Sequence, residues 1–479
     1  MLAVAAALRL LAAVFSGGFL ASDDHHVVVA AADQIANGAG LAVTYARSAL
    51  FPGIIGAIMA GTRGIGIDDP GIEMLIVRLL QAAYSLLVVY FVYRILERAL
   101  GRQSAVIGGM LAAAFFALPV TAVHQLEESA CQVPLLAACW WWRRAEDRDA
   151  PPALWAGLAG AALGGALILR FPLIGFVAVF AALALLRPRP VAMADKAALF
   201  VGLAVVIVLQ GYSNSVVNHE WWYSFIQRLG PMLHPGRMAV EAEGYPHSPP
   251  WHYLLTLLAV LIPPVSVLFL AAAVKGAKQL SMLGIATLAF LVSHSLIANK
   301  QERFMLPILP VLFILIVAGL PWLAARMAPA YRGMWWYFWI VNGALLLVVT
   351  FSAAKQDRVD PLLFIYRRHD ATGVLVAQYN QTFHVPDYYL GRPKPPVMVF
   401  EGRGEAQRTT RWAQDSGSVI NYVILYSDAI ETDRAFLATA LHRNLTLVTV
   451  IQPSLADRLA HAINPRHNKA RTAIVYTTS

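Results

Sequence analysis

The feature that most constrains this chain is a succession of apolar runs, each close to the length of a membrane span. A spanning helix needs roughly 20 predominantly apolar residues. About eleven runs approach that length, near 3–21, 72–93, 104–122, 129–142, 153–169, 171–186, 197–213, 251–273, 280–298, 304–325 and 334–353. The composition agrees, because 58% of the residues are hydrophobic and 14% are charged, whereas soluble domains are about a quarter charged. The sequence predicts a polytopic α-helical membrane protein.

The positions of lysine and arginine in alternate loops predict the orientation. Cytoplasmic loops of membrane proteins carry an excess of these residues, and here they gather in the loops that hold Arg98, Arg144, Arg187, Lys275 and Arg326. These loops are therefore predicted to be cytoplasmic. The loops 22–71 and 214–250, the segment "NKQERF" and everything after residue 354 are then on the outer side. The net charge of +9 reflects this topology, and we expect no nucleic-acid partner.

The two ends of the chain differ in character. The first 21 residues also have features of a signal peptide, but we interpret them as an uncleaved span because candidate functional residues follow directly. After residue 354 strand-like runs alternate with helical stretches such as 432–442, which is typical of an α/β domain. The sequence thus predicts a transmembrane domain at 1–353 and a small periplasmic or lumenal domain at 354–479. The strand-like runs are "GVLVAQY", "PVMVF", "VINYVILY", "LTLVTVI" and "TAIVYTT".

Several cations lie on the side where the orientation predicts few of them. Ionisable residues at membrane depth are costly and usually mark a functional site. An arginine at the outer face can hold a phosphate with its planar fork of donors. The basic residues assigned to the outer side are Arg47, Arg63, Arg170, Arg228, Arg237, Lys300 and Arg303, and Glu73 and Arg78 lie inside or beside a span.

The stretch "NKQERFMLP", 299–307, interrupts two apolar runs with polar residues. Asn299 and Glu302 have the spacing of a capping box that would open the next helix, and a catalytic role for Glu302 is an equal alternative. Lys300 and Arg303 are three residues apart, which places them on one face of a first helical turn. A helix N-terminus beside two cations is suited to bind an anion. Snorkelling to lipid headgroups is the alternative for both cations.

A second cluster follows the first span directly. Asp23 and Asp24 would lie at the outer membrane surface, where a carboxylate can deprotonate a hydroxyl. The alternative is a helix N-cap. Trp251 and His252 enter a later span from the same side, where such residues are usually interfacial anchors. No metal or cofactor is expected, because Cys131 and Cys139 have no ligand spacing and no loop is rich in oxygen ligands beyond the two aspartates.

Five segments, in matching order, resemble the glycosyltransferase family 22 mannosyltransferases. The fourth and fifth are similar to the Pro-Trp-His-Trp-Tyr and His-Lys-Glu-Glu-Arg-Phe motifs of that family, with Asn299 and Gln301 in place of His and Glu. Asp23 stands where the family often has Pro. The segments are "DDHH" at 23–26, "YARSALFPGI" at 45–54, "VRLLQAAYSLLVVYFVYRILERALG" at 77–101, "PWHYL" at 250–254 and "NKQERFMLPILP" at 299–310.

The resemblance implies a GT-C fold and an inverting transfer of mannose or a related hexose. The implied donor is a polyprenyl-phosphate sugar, and the acceptor is a hydroxyl of a glycan, glycolipid or protein. The catalytic base would be Asp24, with Asp23 as the alternative. The residues expected to bind the donor phosphate are Lys300, Arg303, Arg78 and Arg170. Those expected to contact substrate are His252, Trp251, Glu302 and Arg47. Glu127 is added to them as an acid in an outer loop that is interpreted as otherwise uncharged.

Two other functions are compatible with the apolar pattern. A lipid or glycolipid transporter or flippase would favour an internal repeat and charges near the midplane of several helices, whereas the charges here gather on one face. A membrane scaffold whose C-terminal domain binds partners is the other possibility. The Ala- and Arg-rich composition and the brief loops favour a bacterial inner membrane over the endoplasmic reticulum.

Overall fold

The computed structural model describes residues 1–21, 25–38, 48–187, 191–227, 248–297, 299–380, 382–402, 420–465 and 468–478. The predicted site residues Asp23, Asp24 and Arg47 lie outside these ranges. The chain forms two compact units. Unit 1 contains Met1–Leu10, Gly40–Phe51 and Leu80–Leu347, and unit 2 contains Leu11–Ala39, Pro52–Leu79 and Val348–Ser479. The division at 353/354 that the sequence predicts stays a prediction.

Unit 1 is helical in its described part. Short 3-10 segments at Phe171–Leu173 and Glu302–Ile308 precede two of its helices. Four of the described helices contribute residues to both units, namely Leu2–Phe15, Leu50–Gly64, Pro70–Leu100 and Tyr331–Thr350. The remaining helices of unit 1 are Arg102–Ala114, Ala117–Thr121, Glu127–Ala130, Gln132–Glu146, Pro152–Leu169, Ile174–Leu186, Met193–Asn218, His252–Val260, Val265–Gln279, Ser281–Leu296 and Leu309–Met327.

Five helical segments of the described chain are long and apolar enough to cross a membrane. The number rises to six if His252–Val260 and Val265–Gln279, which are bent by 112° at their junction, form one broken span. Shorter apolar helices lie at Leu2–Phe15, Phe171–Leu186 and Ser281–Leu296. Each predicted run falls on a helix, but several of these helices are shorter than a full span. The five long segments are Pro70–Leu100, Pro152–Leu169, Met193–Asn218, Glu302–Met327 and Tyr331–Thr350.

Small residues bring the helices of unit 1 close together. A Cβ at Gly160 would collide with the carbonyl oxygen of Leu199, and a Cβ at Gly276 would collide with that of Leu315. Helices in lipid associate through such close backbone contacts, because the hydrophobic effect does not drive one helix against another in that environment. The segment Glu302–Met327 is the most enclosed span, since 89% of its apolar window is buried. The apolar part of this segment therefore lies in the core of unit 1.

Unit 2 combines parts of the first outer loop with the C-terminal region. Near its start a π-helix, His25–Val29, leads into the helix Ala30–Ala36. Later in the chain follow the helix Gln356–Arg368, a 3-10 turn at Asp387–Leu390 and the helices Ile430–Leu441 and Leu455–Ile463. All five strand-like runs form strands. They are β1 Val374–Gln378, β2 Val397–Phe400, β3 Tyr422–Tyr426, β4 Leu445–Ile451 and β5 Ala473–Thr478.

The five strands make one mixed sheet in the order β2-β1-β3-β5-β4. β1 pairs with β2 and β3 in parallel, while β5 pairs with β3 and β4 antiparallel. The central strands β1 and β3 are buried along their whole length, which explains why they read as continuous apolar runs. One side of the sheet is packed around Leu375, Val423 and Leu437.

Candidate active site

An acid–arginine cluster lies inside unit 1. The short helix Glu127–Ala130 supplies two adjacent carboxylates, Glu127 and Glu128, which are 4% and 0% exposed. Arg170 follows the helix Pro152–Leu169, and its guanidinium lies 2.9 Å from Glu128 and 3.8 Å from Glu127. Arg303, from the "NKQERF" segment, lies 3.7 Å from Glu128. The structure thus brings together three predicted site residues, with Glu128 at their centre.

The cluster is balanced in charge, because its two carboxylates match its two guanidinium groups. Removing one partner from such a buried set leaves an uncompensated charge, so all four side chains depend on one another. Arg303 is further held by Gln301, whose side-chain oxygen accepts a hydrogen bond from Nε at 2.8 Å. A phosphate that binds Arg170 or Arg303 therefore has to compete with Glu128.

An open cleft of about 410 Å³ borders this cluster. Glu127 and Arg170 form part of its wall, and Ser48, Gln210 and Ser224 contribute polar groups. Ser48 donates to Gln210 at 2.8 Å. Gln210 and Ser224 in turn donate to the side-chain oxygen of Asn214 at 2.9 and 3.0 Å. Hydroxyl and amide groups of this kind can exchange hydrogen bonds with a polyhydroxyl ligand.

Lys300 lies between the helix Ser281–Leu296 and the 3-10 segment Glu302–Ile308. It is 5% exposed, and this burial lowers the pKa of its ammonium. The ammonium donates to the carbonyls of Ile297 and Ser248, the latter at 3.0 Å. Among the described residues it forms no ion pair with a carboxylate. Lys300 is therefore a buried cation without a charge partner in this part of the chain.

The capping box predicted at the start of this helix is wrong. The N-cap of the 3-10 segment is Gln301, and no side chain caps it. Glu302 is exposed, so it is free of the backbone role that its spacing suggested. Lys300 precedes the helical segment instead of sharing its first turn with Arg303. Its ammonium contacts the carbonyl of Ile297 at the C-terminal end of the preceding helix, where the helix dipole favours a cation.

Trp251 and His252 open the helix His252–Val260 in the same unit. Trp251 is 61% exposed, which suits an interfacial anchor. The Nε2 atom of His252 is buried and has no hydrogen-bond partner among the described residues. Such an unsatisfied polar atom is uncommon in folded proteins and calls for a ligand or a water. His252 thus stays a candidate, whereas the exposure of Trp251 favours the anchoring role.

Arg78 belongs to unit 2, with the first outer loop. It is 9% exposed, and its Nε donates to the carbonyl of Ala13 at 2.9 Å. No described carboxylate forms an ion pair with it. By contrast Arg63, another cation that the orientation puts on the outer side, is paired with Asp33 at 2.7 Å and Glu73 at 2.8 Å. Arg63 therefore has a structural explanation that Arg78 lacks.

Glu128 is the site residue that the sequence interpretation missed. Glu127 was singled out as an isolated acid in an outer loop, although Glu128 follows it immediately. The signal was present, because two adjacent carboxylates in an apolar stretch are costly unless they are paired. The sequence could not show which of the two would be enclosed. In the structure it is Glu128 that contacts both arginines.

Comparisons with known proteins agree with this architecture. ArnT of Cupriavidus metallidurans, solved with undecaprenyl phosphate, superposes with a TM-score of 0.60 at 15% identity, over 99% of this chain and 96% of that chain. The oligosaccharyltransferase of Archaeoglobus fulgidus, solved with zinc and sulfate, gives a TM-score of 0.50 at 12% identity, over 92% of this chain and 69% of that chain. Both are GT-C enzymes, and the likeness shows the GT-C fold.

The sequence itself gives the family. No curated protein matches the chain with significant similarity. The profile of the Alg9-like mannosyltransferase family, in contrast, matches residues 1–386, which is most of the chain and includes every predicted site residue. The protein is therefore a membrane glycosyltransferase that belongs to the Alg9-like mannosyltransferase family.

Proposed function

We propose that this glycosyltransferase moves mannose or a related hexose from a polyprenyl-phosphate donor to a hydroxyl of a glycan, glycolipid or protein at the outer membrane face. Membership of the mannosyltransferase family supports the sugar. The likeness to ArnT, which was solved with undecaprenyl phosphate, supports the type of donor. The observation that carries the proposal is the buried ammonium of Lys300, which has no carboxylate partner among the described residues.

The reaction is a single displacement with inversion. The acceptor oxygen forms a bond to the anomeric carbon as the bond from that carbon to the phosphate oxygen breaks. Asp24, or Asp23 as the alternative, takes the proton of the acceptor hydroxyl. The electron pair of the broken bond leaves with the polyprenyl phosphate. That leaving group needs positive charge, and fixed cations in a water-poor site supply it efficiently.

Lys300 and the acid–arginine cluster have different parts in this proposal. Lys300 has no carboxylate partner among the described residues, so we expect an incoming phosphate to gain a partner there without displacing one. Arg170 and Arg303 are already paired with Glu128, so they hold the phosphate only to the extent that Glu128 yields. Arg78 is also buried, and it has no carboxylate partner among the described residues of unit 2. Glu127, at the cleft wall, is placed to contact sugar hydroxyls, and His252 is a further polar contact.

The test is donor consumption by the reconstituted full-length protein. A panel of polyprenyl-phosphate sugars is supplied with bacterial membranes as the source of acceptor, and released polyprenyl phosphate is measured. We expect a hexosyl donor, mannose first, to be consumed, and Asp24→Asn to lower turnover roughly a hundredfold. Movement of the intact donor across the bilayer without its consumption would instead favour a flippase. Normal turnover in both Asp23→Asn and Asp24→Asn would remove the proposed base.

Lys196 provides a matched control for Lys300. It is similarly buried, at 9% exposed, and it also donates to two carbonyls at a helix end, those of Leu185 at 2.8 Å and Arg187 at 2.6 Å. It lies in a loop predicted to be cytoplasmic. Lys300→Gln should weaken donor use by about 1.5–3 kcal/mol, about a tenfold to hundredfold change, while Lys196→Gln should leave it unchanged. Equal effects of the two variants would reduce Lys300 to a helix cap.

A further inference from the structure

We propose that residues 384–392 of the C-terminal region form a brace that positions the first outer loop for catalysis. The brace is the segment from His384 to Arg392, centred on the 3-10 turn Asp387–Leu390. It contacts the first outer loop at several separate points, and the brace and the parts of the loop that it contacts belong to unit 2. The inference rests on the proposed function, because it assigns the brace to the loop that carries the proposed base.

The first contact is an aromatic slot around His25. The imidazole lies between Phe19, with ring centroids 4.9 Å apart and planes at 26°, and Tyr389, with centroids 5.4 Å apart and planes at 10°. All three rings are 2% exposed. A flat ring stacked on both faces has little freedom to tilt or translate. His25 is therefore fixed in the slot, and it directly follows Asp24 in the chain.

His25 itself is unsuited to acid–base catalysis. Burial, with the nearby charges of His26 and Lys394, lowers its pKa to about 3, so the imidazole is neutral at physiological pH. Its Nδ1 is buried without a hydrogen-bond partner among the described residues. Neutrality is what a stacked position between two aromatic rings requires, since a charge there would lose its hydration. His25 thus acts as a positioning residue, held by its shape.

The second and third contacts are polar. Tyr388 donates its hydroxyl to Glu73 at 2.6 Å, and Arg392 forms an ion pair with Asp33 at 2.5 Å. Arg63 joins the two anchor points, because it pairs with both Glu73 and Asp33. Hydrogen bonds and charge from Glu73 and Asp33 raise the pKa of Arg63 despite its burial, so its guanidinium stays charged. The brace therefore contacts the helix Ala30–Ala36 as well as the stacked histidine.

A fourth contact lies at the start of the brace. The His26 ring nitrogen Nε2 is 3.2 Å from the carbonyl of His384, and the two histidine rings are 5.0 Å apart. The contacts thus run along the loop from residue 25 to residue 33. A catalytic base must be held close to the hydroxyl that it deprotonates, and small displacements lower the rate strongly. The brace thus contacts residues 25 to 33, the segment that directly follows Asp24 in the chain.

The test separates positioning from general stability with three variants. Tyr389→Ala removes one wall of the slot. Tyr389→Phe keeps the ring, and its hydroxyl has no hydrogen-bond partner to lose among the described residues. Leu437→Ala opens a cavity in the sheet of the same unit, where Leu437 is 0% exposed, without touching the brace. Arg392→Gln, at a side chain that is 34% exposed, provides a milder change that should fold in any case.

Two measurements are made on the full-length protein. Hydrogen exchange of the amides in residues 25–36 reports the order of the loop without reference to activity, and donor turnover gives kcat and KM. We expect Tyr389→Ala to speed exchange and to lower kcat at least tenfold, with the donor KM within twofold. Arg392→Gln should do the same to a smaller extent. Tyr389→Phe and Leu437→Ala should leave the exchange of this segment as in the wild type.

The other outcomes distinguish a failure of the brace from a failure of the proposed function. Unchanged exchange in Tyr389→Ala and Arg392→Gln, or equally fast exchange in Leu437→Ala, would overturn the brace. Faster exchange with normal kcat in an active enzyme would show that the contact does not position the base. If the wild type consumes no donor but Tyr389→Ala still speeds exchange, the proposed function fails while the structural brace stands.

Discussion

At the scale of single residues, Glu128 has the most demanding environment. Its carboxylate is fully buried in the apolar interior of unit 1 and lies within 4 Å of two guanidinium groups. Taking these charges out of water is expensive, and their mutual attraction compensates only while every partner is present. The stability of this region and the phosphate binding that we propose for it therefore depend on the same side chains.

Glu128→Ala should consequently destabilise the protein strongly. The loss leaves Arg170 with Glu127 alone, at 3.8 Å, and breaking a buried pair costs about 3–5 kcal/mol. The double variant Glu128→Ala/Arg170→Met should recover part of that loss, because one carboxylate, Glu127, and one guanidinium, Arg303, remain and the cluster is again neutral overall. Glu97→Ala is the control, since Glu97 pairs with Arg94 at a side chain that is 35% exposed and should cost about 0–1 kcal/mol. Thermal unfolding in detergent measures all three, and equal midpoints for Glu128→Ala and Glu97→Ala would contradict the interpretation.

The sequence identified unusual charges better than it identified their partners. Positive-inside reasoning singled out Arg170, Lys300 and Arg303 because of where they fall relative to apolar runs, which is a local property of the chain. Which acid each cation meets depends on residues far away in sequence, such as Glu128 for Arg303. The contacts of Lys300 were not predictable for the same reason. Its sequence neighbours suggested the start of a helix, whereas its ammonium donates to the carbonyls of Ser248 and Ile297.

At the scale of elements, the apolar runs were located well but their interruptions were not. The predicted run 104–122 is broken at Phe115, and the run 251–273 is broken just after Val260. Prolines mark both places, Pro119 in the first turn after one break and Pro263–Pro264 within the other. Proline cannot donate a backbone hydrogen bond inside a helix, so these residues carried a signal that hydrophobicity alone concealed.

A broken helix in an apolar environment needs side chains to satisfy its backbone. Beside Pro310, which has no N–H to donate, the carbonyl of Leu306 accepts from the backbone N–H of Leu309 and from the side chain of Gln132 at 2.7 Å. At the break after Ala114, Arg9 donates to the carbonyls of Ala112 and Ala113, both at 3.2 Å. Such partners are obligatory where no water can replace them. These polar residues thus satisfy backbone hydrogen bonds inside the spans, which is a structural role separate from catalysis.

Asn342 spans the same break and gives a direct test. Its amide donates to the carbonyl of Ala114 at 2.8 Å and accepts from the N–H of Phe116 at 2.9 Å. Asn342→Leu has similar volume but leaves both groups unpaired, at a cost of about 1–3 kcal/mol each. We expect a clearly lower midpoint of thermal unfolding, whereas Ile340→Ala, at a side chain that is 65% exposed, should change it little. A midpoint for Asn342→Leu as high as in the wild type would mean that the break is satisfied in another way.

At the scale of the whole molecule, the chain does not divide at one point along the sequence. Unit 2 gathers Leu11–Ala39, Pro52–Leu79 and Val348–Ser479, so parts of the first outer loop belong with the C-terminal sheet. Hydropathy is a running property, and it marks where membrane-like sequence ends near residue 353. It carries no information about which distant segments pack together. The strands of the sheet were predictable because each is a local run of strand-forming residues. Which distant segments make up unit 2 was not predictable from the sequence.

Unit 2 combines parts of the first outer loop with the C-terminal sheet. The side of the membrane on which the C-terminus lies is therefore a test of the proposed reaction. The proposed base, Asp24, precedes the first described residue of the loop in unit 2, and the strands β1 to β5 belong to the same unit. If the sugar is transferred at the outer face, both must lie outside the cytoplasm. The pattern of Lys and Arg predicts this independently, since it places Arg98, Arg144 and Arg187 in cytoplasmic loops.

Reporter fusions test that orientation in living cells. A reporter that is active only outside the cytoplasm should be active when it is fused after Ser479, and the same reporter inserted after Asp149 should be silent. Asp149 holds Arg98 in a two-point ion pair at 2.7 and 2.9 Å, in a loop predicted to be cytoplasmic, so it reports the opposite side. The reverse pattern would put the C-terminal sheet in the cytoplasm, where the first outer loop of the same unit would have to follow. The outer-face reaction and the assignment of Asp24 would then both be lost, while family membership and fold would remain.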